Sequence, residues 1–301
     1  MALPIACELG RTCEVQNYVD LDAGPGVKDY RCGTAAYDKH SGVDIRILDV
    51  AAQRRGVDVL AVAPGVVTGV RDEMPDIMSD APGAPSDPRM CGNGVAIDHG
   101  GGWVTQTCHM ARGSLSVAVG QRVAAGQRLG QVGLSGATEF PHVHVTVWKD
   151  GQVVDPFAPN AALAASCQPQ ASLWTAQAAR GLAYKPGVIF NTGFAPGPVT
   201  GPSIEQGGIP TPDRTSAYLV AYVTAINLRA GDRAQLTLRG PDGAVLATDT
   251  HAPVERSKAE YFMLVGKRRP GAAWPVGSYA AEARILRPDL PPSVRRFTLR
   301  L

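Results

Sequence analysis

The chain has 301 residues, 45% of them AVILMFWYC and 19% charged, a globular composition with room for two domains at roughly 150 residues each. No apolar run reaches the roughly 20 residues of a membrane-spanning helix, which excludes one. The balance of 29 basic against 27 acidic side chains gives no sign of a nucleic-acid partner, yet it sums unlike halves: residues 1–167 hold 13 basic and 18 acidic residues (−5), residues 168–301 hold 16 and 9 (+7).

Residues 1–35 show little periodicity. With Cys7, Cys13, Cys32 and Gly24-Pro-Gly26 they are expected to form an irregular, disulfide-linked arm. The six cysteines (Cys7, Cys13, Cys32, Cys91, Cys108, Cys167) include no CxxC, which argues against a Cys-zinc site and favours disulfides over buried thiols. Met1-Ala-Leu-Pro-Ile5 has neither a basic n-region nor an apolar h-region. An export signal is therefore not expected within Met1-Ala-Leu-Pro-Ile5, although disulfides point to an exported protein.

From Ser41 to Leu134, short Val-rich segments broken by glycine predict closely spaced β-strands. Residues 72–91, with Pro75, Pro82, Pro85 and Pro88, predict a long loop of the kind that walls or covers a site. Asp98-His-Gly-Gly-Gly-Trp103 predicts a hairpin turn. If Asp98 faces Gly101, Cys91 lies opposite Cys108, within reach of a cross-strand disulfide. A near repeat follows, Val119-Gly-Gln-Arg-Val123 and Ala125-Gly-Gln-Arg-Leu129, which predicts tight corners. Residues 161–182, alanine-rich, predict a partly helical linker. Strands are expected at 217–225, 233–239, 244–249, 260–265, 279–286 and 293–301, so residues 183–301 are expected to form an immunoglobulin-like β-sandwich.

Five of the six histidines fall between positions 40 and 144. His40-x-x-x-Asp44 separates an imidazole and a carboxylate by an even number of residues, which puts both on one face of an extended strand. In Pro141-His-Val-His-Val-Thr-Val-Trp148, His142 and His144 share a face with Thr146 and Trp148, and the valines take the core face. Two imidazoles and a carboxylate are a three-ligand set for catalytic zinc, with a position left for water. His99 is expected as a turn residue, Thr138 and Glu139 as surface loop, and His251 as solvated.

The ordered set His40-x-x-x-Asp44, Cys108-His109-Met110 and Pro141-His142-x-His144 resembles the lysostaphin-like (LytM-type) zinc endopeptidases, as do Gly92–Trp103, Gly120–Gly130 and Gly133-Leu-Ser-Gly136. The resemblance covers residues 36–160. It implies a mainly β, antiparallel metallopeptidase domain of the duplicated hybrid motif type, one zinc ion, and hydrolysis of peptide cross-links in peptidoglycan. Carried over, it makes His40, Asp44 and His144 the zinc ligands and His109 and His142 the catalytic pair. It implies a periplasmic or secreted protein. The resemblance does not extend to residues 168–301, whose +7 charge is what suggests contact with an anionic cell-envelope polymer. The alternative is a non-catalytic or latent regulator or wall-binding protein on the same fold.

Overall fold

The computed structural model describes residues 1–79 and 90–301, and the chain divides into two compact, mainly β units, Met1–Tyr184 and Lys185–Leu301. Of the loop expected at 72–91, residues 80–89, with Pro82, Pro85 and Pro88, lie outside the described residues.

In the first unit the elements are β1 (Cys13–Asn17), β2 (Val43–Ile47), α1 (Val50–Arg55), β3 (Asp58–Leu60), β4 (Gly65–Arg71), β5 (Asn93–Gly100) and β6 (Trp103–Met110). They continue as β7 (Arg122–Val123), β8 (Arg128–Gln131), β9 (His142–Lys149), β10 (Gln152–Val153), α2 (Ala161–Ala165) and α3 (Ala176–Gly181). One sheet runs in the order β1-β2-β9-β6-β5-β4-β7, with β10 beside β9, and β3 and β8 form a separate pair. The alternation of residues along the strands sorts the faces. Val43, Ile45 and Ile47 of β2, Val95 and Ile97 of β5, and Val143 and Val145 of β9 are each at most 1% exposed in one apolar core. Burying such a side chain contributes about 1.5–3 kcal/mol. The intervening residues, Asp44, Arg46, His142 and His144, are left for the opposite face.

The β5–β6 hairpin differs from the expected register. Gly100 faces Trp103 and Asp98 faces Val104, so the turn sits further along than an Asp98–Gly101 pairing would put it. The cause is the glycine run: Gly100, Gly101 and Gly102 all have positive φ, at 81°, 59° and 79°, which centres a tight turn on Gly101 and Gly102. Cys91 and Cys108 are nevertheless bonded, with Cα atoms 4.8 Å apart. Cys91 precedes β5, the pairing is irregular between Asn93 and Val95, and the Cys91 carbonyl accepts from His109 N at 2.9 Å. The near repeat consists of two like turns. Gln121 N donates to Ala118 O and Gln127 N to Ala124 O, both at 3.1 Å, and each glutamine Oε1 accepts in return from the first residue's N–H. Gly120 and Gly126 supply the positive φ at the third turn position.

The segments at both ends of this unit are integral to it. β1 pairs with β2, and Ile5, Cys13 and Val15 join the core. Residues 161–182, expected as a linker, send Trp174, Ala178 and Leu182 into the same core. Their helices are short, capped at Asn160 and Thr175. Cys32–Cys167 ties the two ends together across 135 residues, and Cys7–Cys13 closes the N-terminal turn.

In the second unit the elements are β11 (Val188–Ala195), α4 (Gly201–Gln206), β12 (Tyr218–Leu228), β13 (Arg233–Arg239), β14 (Val245–Thr250), β15 (Lys258–Arg268), β16 (Ser278–Leu286) and β17 (Ser293–Arg300). Sheets β11-β12-β15 and β14-β13-β16-β17 share a core that includes Leu219, Leu236, Trp274 and Tyr279. Six strands appear where alternation predicted them, with ends shifted by a few residues. β11 and α4 were not among the expected elements. Pro202 opens α4 rather than breaking it, inside a Thr200–Ser203 capping box. Gly193 in β11 leaves room for the Tyr222 hydroxyl, which would lie 2.3 Å from a Cβ there.

Candidate active site

β9 lies between β2 and β6, and register places three residues of the site in one row. His144 stands opposite Asp44 on one side and Cys108 on the other, and His142 stands opposite Arg46. His40 enters from the segment before β2. Its Nδ1–H donates to the Tyr18 carbonyl at 2.7 Å, which leaves Nε2 as a lone-pair donor, 3.2 Å from His144 Nδ1 and 3.2 Å from Asp44 Oδ2. His144 Nδ1 lies 2.8 Å from Asp44 Oδ1, and its Nε2 meets the Thr146 hydroxyl at 2.8 Å. Asn17 Nδ2 donates to Asp44 Oδ2 at 2.9 Å. Gly42 makes the approach possible, since a Cβ there would sit 2.5 Å from His144 Nε2.

On the other side of His144 lie the remaining two histidines, with ring centroids 4.6 Å apart. His109, at the end of β6, adopts φ 59°, a conformation uncommon outside glycine and concentrated at functional sites. Its Nδ1–H donates to Ser135 O at 2.8 Å. His142 Nδ1–H donates to Phe140 O at 2.9 Å and lies 3.1 Å from Thr138 Oγ1, and the Thr138 hydroxyl itself donates to Phe140 O at 2.7 Å. His142 Nε2 is 3.4 Å from Asp44 Oδ1.

Two groups of three metal-binding side chains result, His40/Asp44/His144 and His109/His142/His144, each with donor atoms within 4.8 Å of one another. The first fits zinc better. It carries the anionic charge that a buried dication needs, and its donors are 2.8 to 3.2 Å apart. Zinc–nitrogen bonds of roughly 2.0–2.1 Å in a tetrahedron put ligand atoms about 3.3 Å apart.

The electrostatics agree with that division. Burial opposes the charge on Asp44, but the neighbouring His40 and His142, with hydrogen bonds from His142 and His144, hold its carboxyl well below the usual range. Burial likewise opposes protonation of His40, yet Asp44 and the Tyr18 carbonyl outweigh it and raise that group. His144 is lowered by burial against the pull of Asp44. His109 is pushed well down by burial and by the like charges of His142 and His144, so its imidazole is neutral at pH 7.

The structure therefore brings together all five residues singled out by sequence. The supports that spacing did not reveal are Asn17, Tyr18, Ser135, Thr138 and Thr146. Thr138, expected as surface loop, is 2% exposed, because its hydroxyl is occupied beside His142. Thr146 was visible as a same-face neighbour of His144. The others act through contacts that span 22 to 27 residues of chain and carry no local pattern. Cys108, beside His109, is disulfide-bonded, and no free cysteine is present among the described residues. His99 stands apart, held by Pro64 O and Thr105, and His251 is partnered by Tyr261.

Residues 38–156, the part of the chain that holds this histidine–aspartate centre, match the model of Peptidase family M23. Over 75 residues the chain is 35% identical to the peptidoglycan DD-endopeptidase ShyA of Vibrio cholerae, covering 25% of this chain and 17% of ShyA. The match thus spans about one sixth of that curated relative. Among solved structures, the catalytic domain of a mutant of the prophage-encoded M23 protein EnpA from Enterococcus faecalis is 24% identical, with TM-score 0.34 over 50% of this chain and 94% of that one. The catalytic domain of lysostaphin from Staphylococcus simulans is 21% identical, with TM-score 0.30 over 46% of this chain and 85% of that one.

Proposed function

We propose that this protein is a zinc-dependent endopeptidase that hydrolyses peptide cross-links of bacterial peptidoglycan. The observation that carries the reading is the triangle of His40 Nε2, Asp44 and His144 Nδ1 with His109 and His142 beside it, inside an M23 peptidase domain. The ShyA relative, named for peptidoglycan endopeptidase activity, supports the substrate class.

His40, Asp44 and His144 would hold the ion; bound there, zinc supplies Lewis-acid chemistry, polarising a peptide carbonyl and acidifying water. The chain's own residues do the rest. Thr146, Tyr18 and Asn17 fix the ring tautomers and the carboxylate orientation, as outer partners of metal ligands do. His109 has Nδ1–H committed to Ser135 O, so its neutral Nε2 is free to take a proton. His142, anchored through Nδ1, directs Nε2 towards the same space. Between them the two imidazoles take the proton from water and return one to the leaving amine.

Three disulfides support a site of action outside the cytoplasm, and no helix among the described residues is long and apolar enough to cross a membrane. In this reading Lys185–Leu301, with 15 basic and 9 acidic residues, is an immunoglobulin-like sandwich that holds the enzyme to an anionic envelope polymer. The test is zinc content and muropeptide release side by side. His144→Ala is expected to lose both, and hydrolysis retained in that variant would reject the assignment.

A further inference from the structure

A lane of small residues leads away from the histidine centre across the sheet. β9, β6, β5 and β4 are consecutive neighbours. His144 faces Cys108, Cys108 is bonded to Cys91, and Gly94 sits so close to that bridge that a Cβ on it would lie 3.2 Å from Cys91 Sγ. Gly94 in turn faces Arg71, and Ala96 faces both Gly69 and Gln106. Residues directly opposite in a ladder share a face, so the disulfide, Gly94 and Arg71 continue the surface that carries His144. The lane deepens into a recess of about 170 Å³ lined by Gly69, Arg71, Cys91, Gly94, Ala96 and Gln106 among others, with Arg71 as the one charged side chain among the described residues that line it. Arg71 is held in place: Nη1 donates to Gly92 O at 3.0 Å. That is the one hydrogen bond recorded for its guanidinium among the described residues.

We propose that this recess is a substrate subsite in which Arg71 binds a free carboxylate of the peptide being cleaved; the inference rests on the endopeptidase reading and specifies what its cleft selects. Three strand spacings of about 4.8 Å put Arg71 roughly 14 Å from His144. An extended peptide advances about 3.3–3.6 Å per residue, so the carboxylate lies about four residues from the scissile bond. The glycine and alanine floor admits a backbone without side-chain obstruction. The remaining guanidinium donors present the fork that pairs with a carboxylate through two parallel hydrogen bonds. Gln106 adds a neutral amide beside it.

The probe is a dye-labelled peptidoglycan stem tetrapeptide, which has no cross-link to cut, with its carboxylates free or amidated, and binding is followed by fluorescence polarisation. Wild-type protein is expected to bind the free acid on the order of 10-fold more tightly than the amide, since an ionised partner roughly doubles a hydrogen bond's strength. Arg71→Ala is expected to bind both forms as weakly as wild type binds the amide, with Arg71→Lys in between. Equal binding of acid and amide by the wild type, a comparison that needs no variant, overturns the proposal, as does a preference that survives in Arg71→Ala. Cleavage of a cross-linked dimer is measured alongside. Cleavage without carboxylate preference leaves the endopeptidase reading standing and removes the subsite. Carboxylate-dependent binding without cleavage keeps the subsite and removes the endopeptidase.

Discussion

His40, His109 and His142 each donate one ring N–H to a backbone carbonyl, at Tyr18, Ser135 and Phe140, and His144 uses the Thr146 hydroxyl. The free nitrogens are aimed by the scaffold before any ligand arrives. Two residue-scale outcomes follow. His109→Ala is expected to keep one zinc per chain, measured by metal analysis, while muropeptide cleavage falls by at least about 100-fold, the low end of what a positioned acid or base contributes. Asp155, which is not one of these site residues, is 3% exposed, and its Oδ2 has no hydrogen-bond partner among the described residues. Burial raises its pKa from 3.8 to about 7. Raised in the folded state, it contributes stability that is fully present below about pH 4 and is lost as pH rises through about 7. Urea unfolding is expected to show a decline of a few kcal/mol across that window, and Asp155→Asn is expected to flatten it. The clustering of the five candidate residues was legible because histidine is scarce in this chain, because an even spacing puts side chains on one strand face, and, for His109, because Cys108-His109-Met110 resembles a family motif. Their supports were not, because a backbone carbonyl such as that of Tyr18 has no signature in sequence.

At the scale of elements, the strand holding His109 is pinned by Cys91–Cys108 at its last turn before the site. Replacing both cysteines by serine opens a loop of 17 residues and is expected to cost about 3 kcal/mol in denaturant unfolding. It is also expected to reduce activity more than a remote disulfide would, since Cys108 precedes His109. The positive control is Cys7–Cys13, whose six-residue separation should matter less to both. Sequence predicted the hairpin and its disulfide while misplacing the register, because three consecutive glycines leave the turn's centre undefined until both strands pack. The Val/His alternation of β9 was plain, since one face enters a core that tolerates only apolar side chains. α4 was hidden by proline, which marks loops and helix starts alike.

For the whole molecule, the charge asymmetry of the sequence maps onto two compact units, Met1–Tyr184 and Lys185–Leu301, and the alanine-rich stretch belongs to the first. Helical propensity alone made residues 161–182 resemble a linker. What binds them to the first unit is Trp174 and Leu182 in its core and the Cys32–Cys167 bridge, neither visible as local pattern. A fragment ending at residue 184 is therefore expected to unfold cooperatively by circular dichroism, and one ending at residue 160 to fail to do so. In the proposed function, the His40/Asp44/His144 centre cuts peptide bonds. Zinc-loaded protein incubated with defined cross-linked muropeptides and read by mass spectrometry tests it most directly. Fragments separated at a single peptide bond, gaining one water and absent with His144→Ala, are predicted; intact cross-links after incubation with zinc-replete protein across peptidoglycan types would contradict it.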